Sequence, residues 1–292
     1  MPELPEVETI VRDLDNSLRG LSIKDFKVTN EKTGRARPFL NLSEKKLRQA
    51  VVGRKILKIR RRAKMLIFDL GDMFLLAHLK MTGQLILKKP RGRFLVGGHP
   101  ISGVGTGLPN KFTRAIISFN DGSRLYFNDI RRFGWLKLLD KKKLASEMSG
   151  YGLEPLEKEF TAEALAKILK RKAKTTVKQA IMDQKFVVGV GNIYADESLF
   201  SAKISPFRPA GTIKKAENKK LHLAINKILK LSIAKRGTSF SDYRDGHGRP
   251  GGFVKHLKVY GRAFKPCVVC GRPIKKGKIG GRGTHWCDHC QK

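Results

Sequence analysis

Four cysteines, all within the last 26 residues, are the clearest candidates for metal chemistry in this chain. They are Cys267, Cys270, Cys287 and Cys290, in the pattern C-x2-C, sixteen residues, C-x2-C. Thiolate pairs at this spacing can occupy the four corners of a tetrahedral zinc site, which leaves no ligand position for a substrate. The pattern therefore predicts one structural zinc ion per chain. Two disulfides or free thiols are the alternatives, and an intracellular chain disfavours them.

The amino terminus holds a second group of candidate catalytic residues. It reads MPELPEVET, with Pro2 at the second position and three glutamates in the first eight residues. Carboxylates are scarce in this chain, which has 61 lysines and arginines but only 25 aspartates and glutamates. By themselves these residues are also typical of an ordinary helix start, where acidic side chains stabilise the positive end of the helix dipole.

The excess of basic residues, 61 minus 25, gives a formal net charge of +36 at pH 7. A surface of this charge attracts polyanions, and nucleic acid is the polyanion that we expect. Adaptation to a salty or acidic setting, or a basic surface that serves only solubility, are the alternative explanations. Charge alone separates neither DNA from RNA nor an enzyme from a binding protein.

Length and hydropathy narrow the class of protein further. The chain has 292 residues and an ordinary apolar content, enough for two or three domains with their own cores. It has no run of eighteen apolar residues, and its start has no basic stretch followed by an apolar one. We therefore expect neither a membrane span nor a signal peptide, and predict an intracellular protein.

The first half of the chain combines one helical pattern with many strand-like runs. Residues 4–20, LPEVETIVRDLDNSLRG, have apolar side chains at helical spacing and predict a first helix. From about residue 21 to residue 139 short β-prone runs follow one another, and NDG at 120–122 predicts a hairpin turn. The pattern predicts a β-sandwich or barrel preceded by a helix.

The second half of the chain becomes helical after Gly152. Four segments predict helices: TAEALAKILKRK, TTVKQAIMD, NIYADESLFSAK and AENKKLHLAINKILKLSIAKRG. The glycines of GVGNIY precede one of them, and a helix start opened by glycines can hold a phosphate, although a plain tight turn is the alternative. Two glycine-rich stretches, 89–111 and 238–256, are predicted to be loops.

Six motifs, taken together and in order, resemble the bacterial formamidopyrimidine-DNA glycosylases. They are MPELPEVET, HLKMTG, FNDIRRFG, VVGVGNIYADESLF, VYGR before PCVVCG, and GRGTHWCDHCQ. The resemblance spans the chain from end to end and implies an α+β fold. It implies three domains: an N-terminal β-sandwich with a leading helix (1–145), a helix–two-turn–helix domain (150–256) and a C-terminal zinc finger (257–292).

The resemblance implies a bifunctional enzyme of base excision repair. Members of this family remove oxidised purines, such as 8-oxoguanine and formamidopyrimidines, from duplex DNA and then cut the abasic strand. The implied partner is damaged double-stranded DNA. The implied setting is a monomer in the bacterial cytoplasm, associated with the nucleoid and not with a membrane.

The resemblance also implies catalytic residues. The initiator methionine would be removed, and the secondary amine of Pro2 would become a nucleophile that forms an iminium ion with the sugar. Glu3 matches the general acid–base residue, and Glu6 would support the amine. Lys64 in RRAKML matches a lysine that contacts the phosphate beside the lesion. Arg282 in GRGTHW matches the finger arginine that grips phosphates around the flipped nucleotide.

Further residues match DNA contacts of the family. Met81, Arg131 and Phe133 match the three side chains that fill the gap left by the flipped nucleotide and hold the orphaned cytosine. Arg114 stands where the family usually has a histidine that contacts phosphate. In the helical region, Asn192 and Tyr194 match residues that contact phosphate and the active site, and Glu197 matches a residue near the damaged base. Lys178 matches a further family lysine that contacts DNA.

Three alternatives stay open on the sequence. An endonuclease VIII-like glycosylase would use the same chemistry on oxidised pyrimidines, but the start PELPEVE and the set of Met81, Arg131 and Phe133 favour the purine enzyme. A catalytically inactive DNA-binding relative would retain Met1, which makes the Pro2 nitrogen an amide. A zinc-ribbon RNA-binding protein would need no N-terminal proline motif.

Overall fold

The computed structural model describes two compact units, within residues 1–29, 39–90, 94–98, 107–238 and 251–292. The first unit comprises Met1–Met148 and Arg236–Gly251, and the second comprises Ser149–Lys235 and Gly252–Lys292. The predicted boundaries at 1–145, 150–256 and 257–292, like the monomeric state, stay predictions.

The first unit is a sandwich of two antiparallel sheets. Its strands in the described residues are β1 (Ile23–Val28), β2 (Lys58–Arg62), β3 (Met65–Asp69), β4 (Met73–His78), β5 (Gly83–Lys88), β6 (Phe94–Gly98), β7 (Thr113–Phe119), β8 (Arg124–Asp129) and β9 (Trp135–Asp140). One sheet has the order β1-β7-β8-β5-β6 and the other has the order β2-β3-β4-β9. Apolar side chains of both sheets form one core, which confirms the predicted sandwich.

Helix α1 (Leu4–Leu18) precedes the sheets and packs on their core. Its inward side chains recur at helical spacing and are at most 5 % exposed: Val7, Ile10, Val11, Leu14 and Leu18. Pro5 suits the first turn, where a backbone N–H has no partner inside the helix. The predicted first helix is confirmed.

Two further helices of the first half were not predicted. Helix α2 (Glu44–Val51) interrupts the region that the sequence indicated as strands, and helix α3 (Lys141–Ser149) follows β9. The hydroxyl of Ser43 accepts the N–H of Lys46 and caps α2, while Leu47 and Val51 bury its apolar face in the core. The purely strand-like prediction was therefore wrong at α2, a two-turn helix too short for its period to stand out.

The predicted hairpin turn at 120–122 is confirmed, since β7 and β8 pair on either side of it and Gly122 has a φ of +82°. The loop predicted over 89–111 is wrong in part, because β6 lies inside it and pairs with β5. A side chain at Gly97 would lie 2.7 Å from Ile10, so the glycine lets α1 approach the strand. Residues 91–93 and 99–106 of that stretch lie outside the described residues.

The second unit contains the four predicted helices, all of which are confirmed. They are α4 (Ala162–Arg171), α5 (Val177–Met182), α6 (Asn192–Ser201) and α7 (Lys215–Ala234). Of the loop predicted over 238–256, residues 239–250 lie outside the described residues, and Phe253–His256 forms a short 3-10 helix, which corrects that prediction.

The chain ends in a hairpin of β10 (Lys275–Ile279) and β11 (Arg282–Trp286). Gly280 and Gly281 make its turn with φ values of +54° and +74°, a backbone region that favours glycine. The sandwich, the helices and this hairpin together confirm the predicted α+β fold class. Among the described helices, none combines the length and the apolar character that crossing a membrane requires.

Candidate functional site

The amino terminus is buried around the residues proposed for chemistry. Met1 is half exposed, whereas Pro2 is buried and Glu3 is 4 % exposed. Glu3 stands immediately before α1, and its N–H donates to Oε2 of Glu6 at 2.9 Å. Oε1 of Glu6 accepts the N–H of Thr238 at 2.7 Å. The carboxylate of Glu6 therefore holds the backbone beside Pro2 to a distant segment of the same unit.

The other acids of α1 also fix the helix in place. Asp13 accepts a hydrogen bond from the Arg236 guanidinium at 2.6 Å, and Asp15 accepts the backbone N–H of Ile59 at 2.6 Å. Burial acts to raise the pKa of the Asp15 carboxyl, but the hydrogen bonds from Arg19 and from the N–H of Ile59 outweigh it and lower that pKa. The scarce carboxylates at the start of the chain thus anchor α1 on the sandwich.

Lys64 occupies the turn between β2 and β3 and is 6 % exposed. The residue before it, Ala63, has a φ of +54°, which side-chain-bearing residues rarely adopt. Arg61 stabilises this turn by donating from Nη1 to the carbonyl oxygen of Ala63 at 3.0 Å and from Nε to Glu8 at 3.0 Å. Arg61 thus ties the turn that carries Lys64 to the helix that Pro2 precedes.

His78, at the end of β4, is a residue that the sequence reasoning did not single out. Its Nδ1 accepts the backbone N–H of Lys80 at 2.9 Å, so the neutral ring carries its proton on Nε2. Burial lowers the pKa of His78 to about 3, and the charges of Lys80 and Lys64 add to this shift. The ring is therefore a neutral hydrogen-bond donor near Lys64 at every physiological pH. The only feature of the sequence that indicated His78 was its position at the start of the HLKMTG motif.

Met81, Arg131 and Phe133 come together, although fifty residues separate the first two. Nη1 of Arg131 lies 3.4 Å from Sδ of Met81, and its Cζ lies 4.7 Å from the centre of the Phe133 ring. Met81 is 42 % exposed and Phe133 is 47 % exposed. The turn after β4 and the turn after β8 thus present two apolar side chains around a guanidinium at the surface.

Asp129, a residue that no sequence pattern indicated, holds these two turns in register. It is 2 % exposed and receives the hydroxyl of Thr82 on Oδ1. The same oxygen accepts the N–H of Arg131 at 3.2 Å, and Oδ2 accepts the N–H of Gly134 at 2.7 Å. A side chain at Gly134 would lie 2.7 Å from the ring of Phe127, so only glycine lets the backbone approach this carboxylate.

Arg114 lies on β7 and is 6 % exposed, with its guanidinium 5.6 Å from the centre of the Phe39 ring. A cation over an aromatic face gains from the ring quadrupole. The structure places Arg114 inside the first unit, and its role as a phosphate contact stays a prediction.

Lys178 is buried in a polar cluster of the second unit. Its Nζ lies 2.7 Å from Oδ1 of Asp196 and donates to the carbonyl oxygen of Gly283 at 3.0 Å and to the hydroxyl of Thr284 at 2.9 Å. Asn192, the first residue of α6, donates to the same carbonyl oxygen of Gly283 at 2.8 Å. Both residues therefore fasten the β11 strand to the helices, and their DNA contacts stay predictions.

Tyr194 and Glu197 of α6 are both buried. The hydroxyl of Tyr194 lies 2.6 Å from the hydroxyl of Ser232 on α7. Burial raises the pKa of Glu197, although its carboxylate accepts three backbone N–H groups at 2.8–3.1 Å, those of residues 258, 259 and 260. In this structure both side chains shape the second unit, and their contacts with substrate stay predictions.

Arg282 is exposed at the first position of β11, beside the Gly280–Gly281 turn. The next residue, Gly283, is the one whose carbonyl oxygen Lys178 and Asn192 hold. Two side-chain hydrogen bonds, from Lys178 and Asn192, thus fix the position of the strand that carries the Arg282 guanidinium.

The four cysteine sulfurs converge within 4.8 Å of one another. Sγ of Cys267 lies 3.9 Å from that of Cys290, and Sγ of Cys270 lies 3.5 Å from that of Cys287. A disulfide requires sulfurs at about 2 Å, whereas tetrahedral zinc–thiolate bonds of about 2.3 Å place sulfurs about 3.8 Å apart. The geometry fits one zinc ion and does not fit disulfides.

Three family models match the chain and together cover most of it. They are the formamidopyrimidine-DNA glycosylase N-terminal domain over residues 1–136, the formamidopyrimidine-DNA glycosylase H2TH domain over residues 151–243, and the zinc finger found in FPG and IleRS over residues 264–292.

Proteins similar to the whole chain include two formamidopyrimidine-DNA glycosylases. The one from Pelotomaculum thermopropionicum is 40 % identical over 100 % of this chain and 99 % of its own length. The one from Carboxydothermus hydrogenoformans is 41 % identical over 100 % of both. A solved complex of Lactococcus lactis Fpg with abasic-site DNA aligns with a TM-score of 0.85, at 30 % identity over 99 % of both chains. The MutM (Fpg) protein of Thermus thermophilus aligns with a TM-score of 0.82, at 35 % identity over 99 % of this chain and 98 % of its own.

Proposed function

Because the chain belongs to the formamidopyrimidine-DNA glycosylase family, we propose that it removes oxidised purines from duplex DNA and then cuts the abasic strand. The observation that carries this proposal is the buried start of α1, where Pro2 is buried and the carboxylate of Glu6 accepts the N–H groups of Glu3 and Thr238. The Lactococcus lactis Fpg structures with abasic-site DNA and with Fapy-dG DNA support the substrate class.

The chemistry begins when Met1 is removed and the Pro2 nitrogen becomes a secondary amine. Its lone pair attacks C1′ of the damaged nucleotide, the bond from C1′ to the base breaks, and the departing base takes up a proton. Opening of the sugar ring then leaves an iminium ion at C1′, which withdraws electrons from C2′. Loss of a C2′ proton expels the 3′ phosphate, and a second elimination expels the 5′ phosphate. Glu3 transfers protons in these steps.

Two side chains can donate hydrogen bonds to the phosphates that flank the lesion: Lys64 is a cationic donor and His78 is a neutral one. An ammonium group and the Nε2–H of a neutral imidazole can both donate to phosphate oxygens. Since the pKa of His78 is about 3, its contribution should not change between pH 5 and pH 8. Any pH dependence in that range then comes from other groups, the amine of Pro2 first among them.

The exposed trio, which is Met81, Arg131 and Phe133, acts on the DNA strand opposite the lesion. Met81 and Phe133 fill the space left by the flipped nucleotide, and the guanidinium of Arg131 donates to acceptor atoms of the orphaned cytosine. The contacts of Arg131 with Met81 and Phe133 orient it for this task.

Zinc, when bound by Cys267, Cys270, Cys287 and Cys290, stabilises the fold of the finger and takes no part in bond breaking, because four protein ligands fill its coordination sphere. The finger in turn displays Arg282, which binds phosphates.

The direct test of this function is a duplex with one 8-oxoguanine opposite cytosine. The protein should release the oxidised base and leave a one-nucleotide gap with phosphate at both ends. Release of thymine glycol from a matched duplex in preference to 8-oxoguanine would instead favour the pyrimidine enzyme, and binding without any product would favour the inactive relative.

Glu3→Gln should separate the two activities. The amide keeps the size of the side chain and the amine of Pro2 but cannot donate a proton to the departing base, which should slow base release by about 10²- to 10⁴-fold. Cutting at a preformed abasic site should fall much less, because no base has to leave there. Single-turnover rates on both duplexes measure the difference, and equal losses on both would contradict a role in base release.

Asp129→Asn should reproduce the effect of Arg131→Ala on the choice of opposite base. The amide replaces a carboxylate oxygen with a donor that faces backbone N–H groups, so the two turns lose their common anchor. Both variants should reduce the preference for cytosine over adenine opposite the lesion by up to about 1–3 kcal/mol. Asp121→Asn is the matched control, because the Asp121 carboxylate also accepts a backbone N–H at a turn, that of Ser123. It should keep the preference. If Asp129→Asn keeps it too, the carboxylate does not position the trio.

Arg282→Ala should weaken binding to undamaged duplex and reduce its salt dependence. Each neutralised phosphate contributes about 0.9 to the slope of log affinity against log salt concentration, so losing one contact should lower the slope by about one unit. Titrations at several salt concentrations measure this, and an unchanged slope would mean that Arg282 contacts no phosphate.

A further inference from the structure

The first zinc knuckle exposes an unusual set of apolar side chains. Phe264 is 77 % exposed, Val268 is 55 % exposed and Val269 is 64 % exposed. Among the other large apolar residues in the described parts of the chain, only Leu223 on α7 is more than 55 % exposed, at 58 %. We call Phe264, Val268 and Val269 the apolar knuckle. Exposed apolar residues gathered within six positions typically mark an interaction site.

The backbone holds Phe264 in a conformation that disfavours its side chain. Its φ is +66°, a region that glycine adopts readily and bulky residues rarely do. Its N–H donates to the carbonyl oxygen of Ile274 at 2.8 Å, and the N–H of Ile274 donates to that of Lys265 at 2.9 Å, so these two backbone hydrogen bonds hold the turn that contains Phe264. An exposed phenylalanine gains no packing energy there to offset the strain, which points to a gain made on binding.

The knuckle is flanked by cations. Lys265 and Arg272 are exposed, and the backbone N–H of Cys267 donates to the carbonyl oxygen of Arg272 at 2.8 Å, which places the backbone of Arg272 beside the knuckle. Neither side chain forms an ion pair within the described parts of the chain. The apolar knuckle therefore has a basic rim with no acidic partner among the described residues.

We propose that the apolar knuckle is a docking site for an acidic segment of another protein that carries aliphatic or aromatic side chains. Valine side chains neither donate to phosphate nor stack on bases, so a nucleic acid would leave two thirds of the knuckle without a partner. An acidic peptide satisfies both features, because its carboxylates meet Lys265 and Arg272 while its apolar side chains cover the knuckle. The net charge of +36 attracts such a segment from a distance. This docking site is separate from the glycosylase activity and goes beyond it.

The test uses the full-length, zinc-loaded protein and a short fluorescein-labelled peptide in which aspartate alternates with leucine and phenylalanine. A peptide with serine in place of every apolar residue is the charge-matched control. At physiological ionic strength, fluorescence anisotropy should show the apolar peptide binding about tenfold or more tightly than the serine peptide, as expected when an aromatic side chain is buried.

Phe264→Gly is the decisive variant, because glycine suits the backbone at φ +66° and should leave the finger folded. It should remove most of the advantage of the apolar peptide, and Val269→Ser should reduce it independently. Leu223→Ser, which removes an apolar side chain that is 58 % exposed on α7, is the matched control and should change nothing.

Equal affinity for the two peptides, or equal losses in Phe264→Gly and Leu223→Ser, would overturn the proposal. Affinity for undamaged duplex DNA should be the same in Phe264→Gly and the unmodified protein. A loss of duplex affinity in that variant would assign the apolar knuckle to the DNA interface and would also overturn the proposal, without bearing on the glycosylase assay.

Discussion

A form of the protein that retains Met1 should bind DNA normally and cut none of it. With Met1 in place the Pro2 nitrogen is a tertiary amide, whose lone pair is delocalised into the carbonyl group and cannot attack C1′. Both the release of 8-oxoguanine and the cutting of an abasic strand should fall to background, a loss of several orders of magnitude. Single-turnover assays on both duplexes measure this.

The matched comparison is the same protein after removal of Met1, which alone frees the amine. Because Met1 is half exposed while the contacts of Glu6 lie on other atoms, the retained residue should leave the fold of α1 unchanged. Affinity for undamaged duplex should then be equal in the two forms. Full base release by the form with Met1 would show that another group is the nucleophile.

Cys287→Ser should unfold the zinc finger and weaken DNA binding sharply. Cys287 is fully buried in a small core with Phe200, Val259 and Ile274, so its loss removes both a metal ligand and a core contact. Zinc binding by such sites provides about 10–16 kcal/mol of folding free energy, far more than a cluster of this size gains by packing. Losing the fixed position of Arg282 should lower DNA affinity by about tenfold or more.

Elemental analysis should find about one zinc per chain in the unmodified protein and little in Cys287→Ser. Removing the metal with a chelator should have the same effect on DNA binding. Asp288→Ser, at the neighbouring exposed position, is the control and should keep both zinc and affinity. An active, folded and metal-free preparation would contradict the assignment of a structural zinc site.

The elements that the sequence predicted well are those whose signal is local. The apolar spacing of α1 and the paired C-x2-C motifs each lie within a short stretch, and the structure places both as expected. Helix α2 was not predicted, because its two turns bury only Leu47 and Val51 and so show no clear helical period. Strand β6 was not predicted, because its glycines are typical of a loop and its pairing with β5 leaves no pattern within its own residues.

Charged residues were harder to interpret, because their partners lie far away along the chain. Nothing local in a chain of charge +36 indicates that the ammonium of Lys178 is buried between Asp196 and the strand that contains Gly283, 105 residues away. Its predicted DNA contact stays a prediction. Asp129 went unnoticed because a carboxylate that anchors two turns has no local signature. Burial of a charge depends on such long-range partners, which only the fold reveals.

Trapping the covalent intermediate tests directly whether the amine of Pro2 is the nucleophile. Borohydride added during turnover on a duplex with 8-oxoguanine opposite cytosine reduces an iminium ion to a stable amine and leaves the protein attached to the DNA. Digestion and mass spectrometry of the adduct then identify the attached peptide. We expect attachment at the nitrogen of Pro2 in a chain that has lost Met1, and no adduct when Met1 is retained. Attachment at Lys64, or an adduct in the form with Met1, would contradict this expectation.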